Sequence, residues 1–344
     1  MPARRIPVSV TIEYAGYNGG TALVLSPWGG PTEATLTDST VRYSAGDGIA
    51  WQNGSGGGLT RSILSNNRGD GVQVGGGSVF TLAGNRFTGN GGAAVRQAAE
   101  SQLIYTGNSA SGNGIDAVAM TYGTINVDTT WYADLPYQLA GYLTIASGQT
   151  LTLRPGTLVR LEKDAYLDVR GQLIAQTTVM ARAAGVQGAA SGRTTFTSAQ
   201  RIPGPGDWGG IYLYASSTGS VLDDVDVFYG GSWGYQGTII VGVDQSTTFS
   251  FDNTSVQHSG SHGVEFRNNS SGALTNGRLL LNRGNGLHIG GAGAVVNVTN
   301  NVINGNGDQA FNSAYGCAVY QNAAANITYS GNTASGNTYN GICI

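Results

Sequence analysis

One interval, 23 residues, recurs through the first third of this chain and limits its fold more than any other feature. Asn67, Asn90 and Asn113 keep it, as do Ile49, Val72, Val95 and Val118, and also Leu36, Leu59, Leu82 and Tyr105. Three columns sharing one period mark an array of like units stacked on one another. Around them runs short alternation, as in Val72-Gln73-Val74, Val264-Glu265-Phe266 and Leu287-His288-Ile289. Such alternation puts successive side chains on opposite faces of a strand. A coil of about 23 residues holds three short strands and three turns, and coils stack about 4.8 Å apart. The chain is therefore read as all-β, a parallel β-helix solenoid whose equivalent side chains form ladders.

Composition agrees. The 344 residues include 56 glycines but only eight prolines, with abundant Asn, Ser and Thr, as many turns between short strands require. A hydrophobic content of 40% suffices for a core, so the 11% of charged residues does not signal disorder. The Asn column has its own logic. An Asn at a tight turn presents its amide to the Asn above and below, so Asn67, Asn90, Asn113 and their counterpart Asn282 are assigned to a structural ladder.

A longer period lies over the short one. The segment Val10–Asn85 matches Val225–Asn300 at a fixed offset of 215, with Tyr14 on Tyr229 and Asn67-Arg68-Gly69-Asp70-Gly71 on Asn282-Arg283-Gly284-Asn285-Gly286. After an insertion near Asp308–Gly316 the register returns, with Ser109–Met120 on Thr333–Ile344. Residues 1–121 thus read as the second half of one unit and 122–344 as a complete unit, in one continuous solenoid cut at both ends from a longer repeat protein. Open terminal coils expose core and strand edge, which implies end-to-end self-association.

The Asn- and Gly-rich coils resemble right-handed parallel β-helix repeats of the pectate-lyase-like superfamily. The stretch Leu151-Thr152-Leu153-Arg154-Pro155-Gly156-Thr157, then Leu167–Ala175, Phe196-Thr197-Ser198 and Gly206-Asp207-Trp208-Gly209-Gly210-Ile211, is similar to the opening coils of large bacterial extracellular tandem-repeat proteins of this type. The resemblance implies the fold and its right hand. It leaves function open, because that superfamily holds lyases, hydrolases, adhesins and passenger domains.

Lyases of this kind, as the resemblance implies, gather calcium-binding carboxylates and a basic residue on one outer face. Asp223-Asp224-Val225-Asp226 is the best acidic cluster here, and with Val225 inward, Asp224 and Asp226 point outward from one strand. The pair can share calcium or simply face solvent, and no other cofactor is implied. As catalytic candidates Asp224 and Asp226 are joined by His262, in Ser261-His262-Gly263, but the Asn-Thr-Asp element of polygalacturonase-like hydrolases is absent. His262 and His288 fall one coil apart and are read as exposed turn residues. Cys317 is placed in the inward column of Val264 and Leu287 as a core thiol, and Cys343 on the opposite parity, so no bond between them is expected.

Aromatics mark a candidate ligand face. Tyr212 and Tyr214 alternate with inward Ile211 and Leu213, and Tyr229, Trp233 and Tyr235 follow one coil later. The patch can stack on sugar rings, or it can be a covering loop folded against the rod. A net charge of −3 with seventeen basic residues spread thinly argues against a nucleic-acid partner, and no apolar run reaches membrane-span length. The expected function is a non-catalytic extracellular or cell-surface module for adhesion, glycan contact or surface architecture. The alternatives are a lyase or glycoside hydrolase acting on an acidic polysaccharide, and a mechanical spacer.

Overall fold

The computed structural model describes residues 8–25, 32–120, 122–177, 192–232, 237–308, 316–339 and 341–344. Contacts divide the chain into two compact units, Met1–Gln138 and Leu139–Ile344. Both are stacks of coils, each coil giving one strand to each of three parallel sheets.

In the first unit one sheet runs Thr11–Glu13, Thr40–Arg42, Ile63–Ser65, Arg86–Thr88 and Ser109–Ser111, and a second runs Glu33–Thr37, Gly56–Thr60, Val79–Ala83 and Gln102–Thr106. Register follows the 23-residue period: Leu36 pairs with Leu59, Leu82 and Tyr105 in turn, and Ile49 with Val72, Val95 and Val118. All eight are buried. The aliphatic columns are thus the core, each rung covering the last.

The Asn ladder forms as its spacing implies. Asn67 Nδ2 donates to Asn90 Oδ1 at 2.9 Å, and Asn90 Nδ2 to Asn113 Oδ1 at 2.7 Å. Each amide also donates to a strand carbonyl, Val41 for Asn67 and Leu64 for Asn90. A second ladder, not read from the sequence, uses the same interval one corner away. Asn85 Nδ2 donates to Asn108 Oδ1 at 3.0 Å, and Asn108 Nδ2 to Asp134 Oδ2 at 3.0 Å.

In the second unit the strands Leu143–Ile145, Leu167–Val169, Ile211–Leu213, Ile239–Val241, Val264–Phe266, Leu287–Ile289, Val319–Gln321 and Ile342–Cys343 form one sheet. Asn282 heads a ladder through Asn306 to Asn337, and Asn301 bonds Asn332 in a parallel one.

The cysteine assignment is corrected. Cys317 and Cys343 form a disulfide, with Cα atoms 6.1 Å apart. The insertion lengthens the preceding coil, so Leu287 pairs with Val319 and not with Cys317. Cys317 sits in the corner before that strand, where face alternation no longer governs direction. The bond closes a loop of 26 residues, which in the chain-entropy account stabilises by about 3 kcal/mol. Cys343→Ser is expected to lower the stability of this unit by that amount, read as a shifted urea midpoint; an unchanged midpoint would count against the clip.

Candidate functional site

Alternation along the first sheet of the second unit creates an outward row: Thr144, Asp168, Tyr212, Ile240, Glu265, His288 and Tyr320, in register from strand to strand. Two polar clusters stand on it.

The first centres on Asp168. Tyr214 Oη lies 3.3 Å from Asp168 Oδ1, and the Arg170 guanidinium lies 4.0 Å over the Tyr214 ring. Asp168 lies in the strand Leu167–Val169 and Arg170 in the corner just after it, with its Nη2 3.8 Å from Asp168 Oδ2. Burial pushes the Asp168 carboxyl above its usual range, against the pull of Arg170 and the Tyr214 bond. Burial also raises the Tyr214 hydroxyl, with Asp168 adding to it. Beside this cluster Tyr142 stacks on Tyr166 at 5.9 Å, and Tyr166 meets Tyr212 at 5.5 Å. Tyr212 does hold an outward position, but it is only 4% exposed. Its ring lies over the backbone of Gly209 and Gly210, where an added Cβ would stand 2.8 Å from the ring at Gly210. The exposed surface of the column is Tyr142, at 47%.

Tyr229 does not join it. Tyr229 occupies the corner after Val225–Phe228, in a different sheet, and stacks on His258 at 5.3 Å. Its counterpart Tyr14 stacks on Tyr43 in the same way, so the pair belongs to the repeat. Trp233 and Tyr235 lie outside the described residues.

The second cluster corrects the histidine reading. His262 is buried, not an exposed turn residue, and its ring stacks on His288 at 4.4 Å, which in turn stacks on Tyr320 at 4.7 Å. Asn285 fixes both imidazoles. Its side-chain oxygen accepts from the Gly316 and Cys317 N–H groups, which leaves its amide to donate to His288 Nδ1 at 3.1 Å. Its backbone N–H donates to His262 Nδ1 at 2.9 Å. Each Nδ1 is therefore an acceptor, and each ring is neutral with its proton on Nε2. Burial pushes His262 well below the usual range, with His288 and Arg267 adding to it. Burial and then Arg267 bring His288 down to about 4. Next to them buried Glu265 is held by two Arg267 nitrogens at 2.7 and 3.0 Å.

The acidic cluster is also rearranged. Asp224 is not in a strand; it occupies a left-handed corner, φ 57°, between Val221–Asp223 and Val225–Phe228. Arg193 reaches it, with Nη1 at 3.7 Å from Asp224 Oδ1 and Nε at 2.9 Å from Asp226 Oδ2. Thr177 and Asn253 also donate to Asp224. The guanidinium thus bridges the two carboxylates. Asp224 and Asp226 come together, and His262 joins His288, but the strand residues of the two pairs, Asp226 and His288, belong to different sheets. Among the described residues no group of three or more His, Cys, Asp or Glu is placed to hold a metal ion, and no helix is long and apolar enough to cross a membrane.

Residues 26–130 match the family described as a right-handed beta helix region, and residues 123–234 match the pectate-lyase-like beta helix domain. The fold is a right-handed parallel β-helix, and the segment 123–234 is similar to the pectate-lyase-like form of it. Among solved structures, this β-helix is similar at 14% identity to the catalytic domain of a GH87 α-1,3-glucanase in complex with nigerose, with a TM-score of 0.31. Two single-residue variants of that domain, also with nigerose, match at 14% and 0.30. In each case 96% of this chain is covered, and it spans 64% of the other. No curated protein matches the β-helix sequence.

Proposed function

We propose that this β-helix is a non-catalytic module that contacts glycans through the outer face built on Tyr142, Tyr166, Asp168, Arg170 and Tyr214. The observation that carries the reading is the Asp168–Tyr214–Arg170 cluster beside an aromatic column open to solvent at Tyr142. An aromatic face accepts the apolar face of a pyranose, while the fixed carboxylate and guanidinium bond its hydroxyls. Catalysis by paired carboxylates needs a separation of about 5–9.5 Å. Asp168 and Glu265, the carboxylates of the outward row, are three strand spacings apart, about 14 Å. Each also has an arginine beside it. The Cys317–Cys343 bond supports an oxidising, extracellular setting.

A panel of neutral and acidic polysaccharides tests this by binding and by size profile, with calcium present. Retarded migration with at least one polymer and no shortening is expected. Tyr214→Ala should weaken that binding about tenfold, or about 1.4 kcal/mol. Shortening of any polymer would favour the lyase or hydrolase reading, and binding to none would leave a spacer.

A further inference from the structure

The two copies of the repeat build one chain of acceptors in two chemistries. In the first copy the Ala93 N–H donates to Asp70 Oδ1 at 2.6 Å, and the Asp70 N–H to Asp47 Oδ1 at 2.7 Å. Arg96 balances the charge, with Nε 2.5 Å from Asp70 Oδ2. At the matching positions of the second copy the Cys317 N–H donates to Asn285 Oδ1 and the Asn285 N–H to His262 Nδ1, both at 2.9 Å. The donors are backbone groups in either copy, so an acceptor is required at each step. An ionised carboxylate can only accept, whereas an amide accepts in one orientation and an imidazole in one tautomer. The second copy therefore needs something that holds Asn285 in place.

The differences come as a set. Where the first copy has Asp47, Asp70, Gln73 and Arg96, the second has His262, Asn285, His288 and Tyr320. Where the first has Ala93 and Ala119, the second has Cys317 and Cys343, bonded to each other. That bond starts on the residue whose N–H fixes Asn285. Its far end, Cys343, lies in register with Tyr320, the ring stacked on His288. The corner it ties also closes a longer coil, 31 residues from Asn285 to Gly316 against 23 from Asp70 to Ala93. A longer span orders its end less by itself, and the clip compensates.

We infer that the Cys317–Cys343 bond is a redox control on the charge of the outward row: closed, it holds His288 as a neutral acceptor through Asn285, and opened, it lets that ring take a proton. Opening draws two electrons and two protons from a dithiol, which becomes a disulfide while both cysteines become thiols. Thiols with an ordinary pKa of about 8.5 stay uncharged through the imidazole range, so opening adds no charge beside the ring. What changes is Asn285. With the Cys317 corner released its amide turns over, and its oxygen accepts from a protonated His288 Nδ1. The charged groups around the ring are Glu265 and Arg267, bonded to each other, and on the same coil Arg283 and Asp308, 3.6 Å apart. Both pairs are the same in either state. Burial also persists and still disfavours the charged ring, so the release is partial. By reciprocity, acid favours opening by the same factor. His288 stands apart from the Asp168 cluster, so the glycan reading is not involved.

The test follows the imidazoles by NMR titration of the full chain, oxidised and in a dithiol reductant, with circular dichroism as the folding check. His288 is expected to gain about tenfold in proton affinity on reduction, about one pH unit upward. His262 should not rise with it, because its donor is the backbone N–H of Asn285. Cys317→Ala together with Cys343→Ala, which restores what the first copy folds with, should move His288 equally without reductant. In Asn285→Asp His288 should titrate alike before and after reduction, since no amide is left to turn. Identical His288 curves in the oxidised and reduced folded chain overturn the inference. So does a shift that survives Asn285→Asp or lifts His262 as much, which would be general loosening. Loss of folding in both the reduced chain and the doubly substituted one overturns it too, since no opened state would exist.

Discussion

Asn90→Ala is expected to destabilise the Met1–Gln138 unit by about 4 kcal/mol, more than any exposed substitution. Asn90 is 1% exposed and serves three neighbours. Its Oδ1 accepts from both the Asn67 N–H and Asn67 Nδ2, and its Nδ2 donates to the Leu64 carbonyl and to Asn113 Oδ1. Alanine strands at least three buried groups, each costing about 1–3 kcal/mol, in a stack too tight for water to replace them. Asn90→Asp should be no better. A carboxylate accepts from Asn67 but cannot donate to Leu64, and its charge would be buried without a partner. Asp134 tolerates the terminal rung because it only has to accept. Asn113→Ala, at the half-buried end of this ladder, should cost roughly half as much. Urea unfolding of the three variants checks the order; equal and small losses would show that the ladder is incidental to stability.

The same columns explain how much was legible in advance. A period of 23 residues fixes register, because stacked strands bury one face and a slip by one residue would expose it. Leu36, Leu59, Leu82 and Tyr105 therefore fall in pairing order as spaced. The second ladder, Asn85 and Asn108, keeps the same interval and is equally legible in the sequence. The outer clusters were harder. Asp168-Val169-Arg170 and Glu265-Phe266-Arg267 each place an arginine two residues after an acid, just past the end of a strand, where it turns back to the carboxylate. Arg193, by contrast, reaches Asp226 from 33 residues away, a contact made by coil stacking and by no local pattern. Corners were least legible, since alternation lapses there. Alternation implies a strand position for Asp224, which holds a corner, and the Leu287 column for Cys317, where Val319 stands instead.

Acidification from pH 7.5 to 4 is expected to cost the Leu139–Ile344 unit about 3 kcal/mol through His288 alone. In the folded chain His288 titrates near 4, below its ordinary 6.5. The unfolded chain therefore takes up the proton first as the pH falls, and stability that is fully present above 6.5 is lost down to about 4. A gap of about 2.5 pH units corresponds to about 3 kcal/mol. His262 is displaced in the same direction and adds to the loss. The geometry gives the reason: protonating either Nδ1 sets an N–H against an Asn285 donor, and Asn285 cannot turn over because its oxygen is held by two backbone N–H groups. A charged His288 would also face Arg267, although Glu265 on the adjacent strand offsets part of that. Glu265 works with the opposite sign, since its carboxyl is raised by burial and its protonation favours the folded chain at low pH. Comparing the chain with His288→Gln separates the two. For a unit of this size 3 kcal/mol is about 10 °C in Tm. The wild-type midpoint should fall by about that much more than the variant's between pH 7.5 and 4; parallel curves would mean that His288 titrates normally and that Asn285 does not hold it neutral.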